Sequence, residues 1–251
     1  MEISWTKLLG SSKTDKGNEI AIGSDGSIYI AGNTNGDLED QINNGGYRDV
    51  FISKFDNNGD KLWTKLLDGE GYESPSGIVI GSDDSIYVTG RADGNLEGEL
   101  NNTVGNVFVH KINSDGNKLW TRLLGTSSSG NSAIAIGSDD SLYLTGCTFE
   151  DLDGELNNGQ NDIFITKLNS DGYKQWTKLS GGLDHEQGNG IAIGSDGSIY
   201  ITGYTNGNLE GQINSNRYFA VFISKYNSDG VRQWTKFIEP ALDTPYLCSD
   251  R

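Results

Sequence analysis

The chain has 251 residues and a formal net charge of −16, from 19 Lys and Arg against 35 Asp and Glu. This excess of carboxylates argues against nucleic acid and anionic membrane surfaces as partners, because both are bound through clustered Lys and Arg. The two cysteines, Cys147 and Cys248, have no paired spacing, so a disulfide framework and a CxxC zinc site are not expected.

The N-terminal residues MEISWTKLLG contain no apolar run of the kind found in a secretory signal peptide. No apolar stretch approaches the roughly 20 residues of a membrane span, so membrane insertion is not expected. Abundant Gly, Asn, Ser and Asp, with only three Pro, favour many short strands joined by turns.

Five tryptophans mark an internal repeat. They lie 58, 57, 56 and 58 residues apart, each followed by Thr and a basic residue, at Trp5, Trp63, Trp120, Trp176 and Trp234. The motif IAIGSDGSIYIAG returns with the same period, beginning at Ile20, Ile78, Ile134 and Ile191. A fixed period of this length indicates a repeat architecture.

Each unit predicts four β-strands in chain order. The first is the apolar run at 20–22, and the turn G-S-D-G-S that follows supplies the conformations of a tight hairpin. The second strand places Ile28 and Ile30 on one face and Tyr29 on the other. A long loop leads to the third strand, VFISKF, and a second tight turn leads to the fourth, KLWTKLL. No 3.6-residue apolar period persists, so no helix is predicted.

Four-stranded units side by side are typical of a β-propeller, because a lone unit cannot bury both sheet faces. The sequence predicts an all-β propeller of four blades at about residues 10–67, 68–124, 125–180 and 181–238, followed by a C-terminal tail, 239–251. Segment 3–9 has no unit before it and is predicted to be a surplus outer strand. The sequence leaves three alternatives open. The four blades close into a ring within one chain, or they pair with another chain through open strand edges, or they belong to a longer propeller.

The G-S-D-G/D-S turns and the F-x-x-K…G…W segments resemble the SBBP family of bacterial β-propeller repeats over about residues 3–238. The resemblance implies a module of a long extracellular or cell-surface protein, sometimes beside calcium-binding repeats. The chain is also similar to the propeller part of cyanobacterial alkylating enzymes that build cyclophanes, although it has no G-G-x-G-x-D repeat. It departs from the family in the last unit, where Ala220 replaces the residue before strand three.

The long loops lie opposite the hairpins and differ between units, so we place the functional face there. Their oxygen ligands suit Ca²⁺, and no other cofactor is required. The alternative is that these carboxylates form Asx turns and solvated loops. The candidate calcium ligands are Asp37, Glu39, Asp93, Glu97, Asp151, Asp153 and Glu210.

The position after strand two differs in all four units, so no scaffold role fixes it. In a closed ring it faces the mouth of the channel, and His185 lies in a loop on the same side. The candidate ligand-binding residues are therefore Asn33, Arg91, Cys147, Tyr204 and His185.

No catalytic residue is predicted, because the chain has two histidines and no G-x-S-x-G, P-loop or HExxH motif. His110 lies on strand three, where we expect it at the surface. The sequence predicts a non-enzymatic binding or structural module whose acidic loops contact a protein, a glycan or a cation. The alternative is an enzyme, or part of one, with its site at the channel mouth.

Overall fold

The computed structural model describes residues 5–43, 47–101, 105–126, 132–214 and 218–238. These residues form sixteen strands in four antiparallel sheets of four strands each, which confirms the all-β propeller prediction. Within these ranges no helix is long and apolar enough to cross a membrane. The predicted tail, 239–251, lies outside the described residues.

The strands of each sheet follow one another in chain order. Blade one contains β1 (Asp15–Ile22), β2 (Ile28–Thr34), β3 (Asp49–Phe55) and β4 (Lys61–Leu66). Blade two contains β5 (Glu73–Ile80), β6 (Ile86–Ala92), β7 (Asn106–Ile112) and β8 (Lys118–Leu123). Blade three contains β9 (Ala133–Ile136), β10 (Leu142–Thr148), β11 (Asp162–Leu168) and β12 (Lys174–Ser180). Blade four contains β13 (Glu186–Ile193), β14 (Ile199–Thr205), β15 (Ala220–Tyr226) and β16 (Arg232–Ile238).

Each blade has two different apolar faces. In blade one, the tyrosine face carries Tyr29 and Ile52, and the isoleucine face carries Ile20 and Ile30. The tyrosine face of one blade packs on the isoleucine face of the next, and this arrangement forms three successive cores. In the first core, Ile52 lies with Val88 and Phe108 of blade two.

The repeated tryptophans join neighbouring blades, as their position on the outer strand predicts. The Trp63 indole N–H donates to the Ser114 carbonyl oxygen (3.2 Å) in the β7–β8 turn of blade two. The turn glycine there, Gly116, has a φ of +81°, and a Cβ on it would lie 3.2 Å from the Trp63 ring. The same close approach recurs between Trp120 and Gly172. A glycine is needed at this position for both its conformation and its small size.

The predicted surplus strand 3–9 is corrected by the structure, because residues 5–9, its described part, form no strand. A strand needs a hydrogen-bonding neighbour, and none of the sixteen described strands pairs with residues 5–9. Trp5 nevertheless packs on Gly59, where an added Cβ would lie 2.7 Å from its ring. It therefore occupies, on blade one, the position that Trp63 occupies on blade two.

The four blades form an open arc. The inner strands lie side by side in the order β1, β5, β9, β13. Among the described residues, no further blade covers the tyrosine face of blade four or the inner part of the isoleucine face of blade one, whose outer part, at Phe51 and Phe55, is buried. On the tyrosine face of blade four, Val221 is 47% exposed, whereas its counterpart Val50 is 0% exposed. On the isoleucine face of blade one, Ile20 is 66% exposed, whereas its counterpart Ile134 is 9% exposed.

The expectation of a surface position for His110 is wrong, since the residue is buried at the first blade junction. Its Nδ1 lies 2.8 Å from the Thr121 hydroxyl, a cross-strand hydrogen bond that the three other blades make with two hydroxyl side chains. Burial lowers the pKa of His110 to about 4. The imidazole is therefore a neutral part of the β7–β8 pair near pH 7.

We predict that Trp63→Ala destabilises the fold more than Trp234→Ala. The first change removes a side chain packed on the next blade and costs about 3 kcal/mol. No further blade among the described strands packs on Trp234, so its loss costs about 1 kcal/mol through contacts within blade four. Urea unfolding of both variants, followed by circular dichroism, measures the difference. Equal losses would contradict the blade-joining role of Trp63.

Candidate functional site

On the long-loop side, neighbouring blades meet through a short parallel bridge. At the first junction, Arg48 pairs with Tyr72, and the backbone N–H of Glu73 donates to the Arg48 carbonyl oxygen (2.9 Å). The Arg48 guanidinium lies 4.8 Å from the centre of the Tyr72 ring and donates to its hydroxyl (2.6 Å). The loop before β3 is therefore fixed to the loop before β5.

His185 occupies the position of Tyr72 at the junction between blades three and four. It forms the equivalent parallel bridge with Asn161, and the Glu186 N–H donates to the Asn161 carbonyl oxygen (2.9 Å). The imidazole is hydrogen-bonded to the Asn161 side chain, and the His185 N–H donates to Asn206 Oδ1 (2.8 Å). The structure thus places this predicted site residue in a blade junction.

Buried carboxylates lie directly behind both bridges. Asp49 and Glu73 are 2% and 0% exposed. Burial, reinforced by the Asp68 carboxylate, raises the pKa of Asp49 to about 6. Burial, reinforced by the Asp49 carboxylate, raises the pKa of Glu73 to about 8. Within the described part of the chain, Asp49 Oδ1 and Glu73 Oε2 accept no hydrogen bond.

The junction between blades three and four repeats this pair with Asp162 and Glu186. Burial raises the pKa of both carboxyls. Glu186 is better satisfied than Glu73, since it accepts hydrogen bonds from the Gly182 N–H (2.7 Å) and the Thr205 hydroxyl (2.6 Å). The acidic residues at the starts of β5 and β13 are thus interior positions of their junctions.

The four residues predicted at the channel mouth lie on the tyrosine faces of four different blades. Asn33 and Cys147 are buried in their junctions. Arg91 is half-buried, and its Nε donates to Asp93 Oδ1 (2.8 Å). Tyr204 packs edge-on against Phe219 on blade four, with 4.9 Å between the ring centres.

The acidic loops fold back onto their own blades. Each contains a tight turn that follows a buried leucine, and the residue after that leucine has a positive φ. The carboxylate at this position pairs with a cation of the outer strand. The four ion pairs are Glu39–Lys61, Glu97–Lys118 (3.0 Å), Asp153–Lys174 and Glu210–Arg232 (2.7 Å). Four of the predicted calcium ligands therefore neutralise cations within the blade.

The remaining predicted calcium ligands order the backbone or bind Arg91. Asp37 Oδ1 accepts the Asn43 N–H (3.0 Å), and Asp151 Oδ1 accepts the Asn157 N–H (2.9 Å). Asp93 Oδ1 accepts the hydrogen bond from Arg91 Nε that is described above. Among the described residues, no three His, Cys, Asp or Glu side chains come together in a way that suits a metal ion.

Sequence reasoning overlooked an exposed aliphatic residue that recurs just after each acidic turn. The exposed fractions are 69%, 75%, 67% and 78%, for Ile42, Leu100, Leu156 and Ile213. The available signal was an apolar residue at one fixed position in four otherwise polar loops. Lone exposed apolar residues are common, but one that recurs in every unit without a packing role indicates a contact surface.

Two of these residues line acidic clefts beside the first junction. Ile42 borders a cleft of about 290 Å³ together with Asp40, Asp49 and Asp68. Leu100 borders a cleft of about 410 Å³, whose acidic residues are Asp68, Glu70 and Glu97. The two clefts share Asp68. Each combines an aliphatic wall with carboxylates, which suits the stem and the charged end of a Lys or Arg side chain.

The sequence model of SBBP, described as a beta-propeller repeat, matches residues 4–39 and 175–210. Two segments of the chain are thus similar to the SBBP β-propeller repeat. Each match begins in or next to a tryptophan segment and ends in the acidic loop after the second strand of the following blade. The repeat therefore runs from the outer strand position of one blade into the next, and segment 5–9 is the first such start.

The curated relatives that match are much longer proteins. The chain is 28% identical over 191 residues to the regulatory protein FlaEY of Caulobacter vibrioides, covering 68% of this chain and 20% of that protein. It is 20% identical over 263 residues to an uncharacterized WD repeat-containing protein, L264, of Acanthamoeba polyphaga mimivirus, covering 82% and 19%. The chain thus spans about a fifth of their length.

A solved structure similar to this chain is the xylan beta-1,4-xylosidase from Bacillus halodurans C-125. The sequences are 13% identical, and the TM-score is 0.47. The match covers 92% of this chain and 45% of the xylosidase chain.

The Glu73 carboxyl predicts a dependence of stability on pH. Its folded-state pKa lies above the ordinary value of 4.5, so the folded chain keeps a proton that the unfolded chain releases between pH 4.5 and about 8. The free energy of unfolding therefore falls as the pH rises through this window. Glu73→Gln removes the effect while keeping the oxygen that accepts the Gly71 N–H.

At pH 9 we expect Glu73→Gln to be more stable than the wild type by about 2 kcal/mol, and at pH 4 the two should be similar. Urea unfolding at a series of pH values measures this difference. Asp115→Asn, in an exposed hairpin turn, is the control and should leave the pH profile unchanged. If Glu73→Gln had the same dependence of stability on pH as the wild type, burial would not raise the pKa of Glu73.

Proposed function

We propose that this chain is a non-enzymatic propeller module that binds a basic segment of a protein partner through its long-loop side. The observation that carries the proposal is the pair of adjoining clefts at Ile42 and Leu100. Each offers an exposed aliphatic wall and several carboxylates, and Asp68 belongs to both. Two neighbouring basic side chains of one segment would occupy them together.

The charge of the chain favours such a partner. With a net charge of −16, the protein attracts basic surfaces at long range and repels acidic ones. Most loop carboxylates are already paired with outer-strand cations, whereas Asp40, Asp68 and Glu70 are exposed. These three exposed carboxylates of the clefts are thus available to a ligand.

The positions of the predicted channel-mouth residues support a binding module over an enzyme. Asn33, Arg91 and Cys147 lie in three separate blade junctions, and Tyr204 lies on the uncovered face of blade four. A catalytic group and its partner need to be within hydrogen-bond reach of one substrate. Residues divided among separate junctions do not provide this arrangement.

We predict that a Lys- and Arg-rich peptide selected on the immobilised wild-type chain from a random display library binds at the two clefts. The triple variant Ile42→Ser/Leu100→Ser/Asp68→Asn should weaken its binding at least about tenfold, as calorimetry would show. The affinity should also fall as salt rises, because screening weakens the attraction between exposed charges.

The matched control is Leu62→Ser/Leu119→Ser, which removes two exposed leucines of the outer strands β4 and β8. This variant should bind the peptide like the wild type. Equal binding to the triple variant would contradict the proposal. Binding to a glycan array, or a melting temperature that rises with Ca²⁺ and falls with chelator, without any peptide enrichment, would favour a glycan or a cation instead.

A further inference from the structure

The two ends of the arc carry the two halves of an interface that the chain already makes three times. At each internal junction a tyrosine face covers an isoleucine face. In the part of the chain that the structure describes, the tyrosine face of blade four has no blade against it, and the inner part of the isoleucine face of blade one is exposed at Ile20 and Ile22. From this complementarity we infer that the tyrosine face of blade four binds the isoleucine face of blade one in a second copy of this chain.

The surface on blade four is apolar and has the same residue types as its buried counterparts. Val221 is 47% exposed, and the residues at its position in blades one to three, Val50, Val107 and Ile163, are at most 1% exposed. Beside it, Tyr200, Thr202 and Ile223 line a groove of about 350 Å³. This groove is where the inner strands of a following blade would pack.

The surface on blade one matches this groove. Ile20 and Ile22 are 66% and 60% exposed. Their counterparts in blade two, Ile78 and Ile80, pack against the first core, and those in blade four, Ile191 and Ile193, pack against the third. A second copy that places Ile20 and Ile22 on blade four would therefore reproduce an existing contact.

The charged residues at the strand starts of the proposed junction allow the two blade faces to come together. At the first junction, the first residues of β3 and β5 are Asp49 and Glu73, and the Asp49 carboxylate adds to the burial that raises the pKa of Glu73. In the head-to-tail contact the equivalent residues are Ala220 and Asp15. The Asp15 carboxylate already accepts bonds from the Ser11 N–H (2.6 Å) and the Thr34 hydroxyl (2.5 Å). Because Ala220 adds no second carboxylate, this junction forms without the repulsion found at the first.

The N-terminal segment controls access to part of this interface. Trp5 occupies the place on Gly59 that Trp234 of the preceding copy would take. The Trp5 side chain lies on a segment without strand hydrogen bonds, and the residue is 40% exposed. It can therefore leave when Trp234 arrives, and its presence weakens the association.

Two copies joined in this way at both ends would form a ring of eight blades, within the range of known propellers. A head-to-tail contact is heterologous, so it gives a closed ring or a longer series of copies. In both cases the molar mass in solution is at least twice the 27.2 kDa of one chain and rises with concentration. This contact is made by the faces of two blades, and it differs from backbone pairing between open strand edges.

Sedimentation equilibrium over a wide concentration range tests the inference. Val221→Lys and Ile20→Lys should each reduce the association constant at least tenfold. Leu183→Lys is the matched control, since Leu183 is 81% exposed in a loop outside both faces, and it should leave the mass unchanged. Circular dichroism checks that each variant is folded.

Mixing the two interface variants distinguishes a head-to-tail contact from a symmetric one. The intact blade-four face of Ile20→Lys can bind the intact blade-one face of Val221→Lys, so the mixture should recover a two-chain species. Trp5→Ala should tighten association of the otherwise wild-type chain. A wild-type chain that stays monomeric at all concentrations, or a mixture without recovery when both single variants are monomeric, would overturn the inference.

Discussion

Packing of one blade face on the next is the interaction on which the rest of this structure depends. A four-stranded sheet whose two faces are both apolar is unstable alone, because water would cover at least one of them. Blades two and three have both faces covered, and the third strands of blades one, two and three are almost fully buried. Blade four has one covered face, so buried and exposed residues alternate along β15. The stability of each blade thus depends on its neighbours.

The same packing decides which chemistry is free to act. The long loops do not stand away from the blades, since a buried leucine and an ion pair to the outer strand hold each of them back. What remains on the surface is a set of exposed aliphatic residues and the carboxylates around the first junction. This combination of apolar and acidic groups explains why we propose a basic protein segment as the ligand rather than a metal ion.

Local patterns made the blades predictable from the sequence. The tryptophan period, the hairpin turns and the alternation around Tyr29 all depend on residues close together in one unit. The four predicted strands of each unit overlap those of the structure, although β1 begins at Asp15, five residues before its predicted start. The ion pairs could not be predicted in the same way. Glu97 lies in the loop between β6 and β7, whereas Lys118 begins β8, and only the fold-back of the loop brings them together. The buried state of His110 depends on the neighbouring blade, which a single unit does not reveal.

The N-terminal tryptophan segment shows a different limit of sequence reasoning. Its sequence is that of an outer strand, and Trp5 packs on Gly59 as the other tryptophans pack on their glycines. Strand hydrogen bonds, however, need a neighbouring strand, and none of the described strands lies beside residues 5–9. The Trp5 side chain therefore packs as the repeat predicts, whereas the backbone of its segment would form a strand only beside a neighbouring strand.

The central claim is that four blades form an open arc rather than a closed ring, and a distance between the hairpin turns of blades one and four tests it most directly. Ser24 and Ser195 lie at the same position of these two turns, and Ser82 and Ser138 mark the adjacent blades two and three. Spin labels at each pair, measured by pulsed dipolar spectroscopy in samples diluted with unlabelled chain, compare the two distances. The open arc predicts a Ser24–Ser195 distance clearly longer than the Ser82–Ser138 distance. Equal distances would show a ring closed within one chain and would contradict this account.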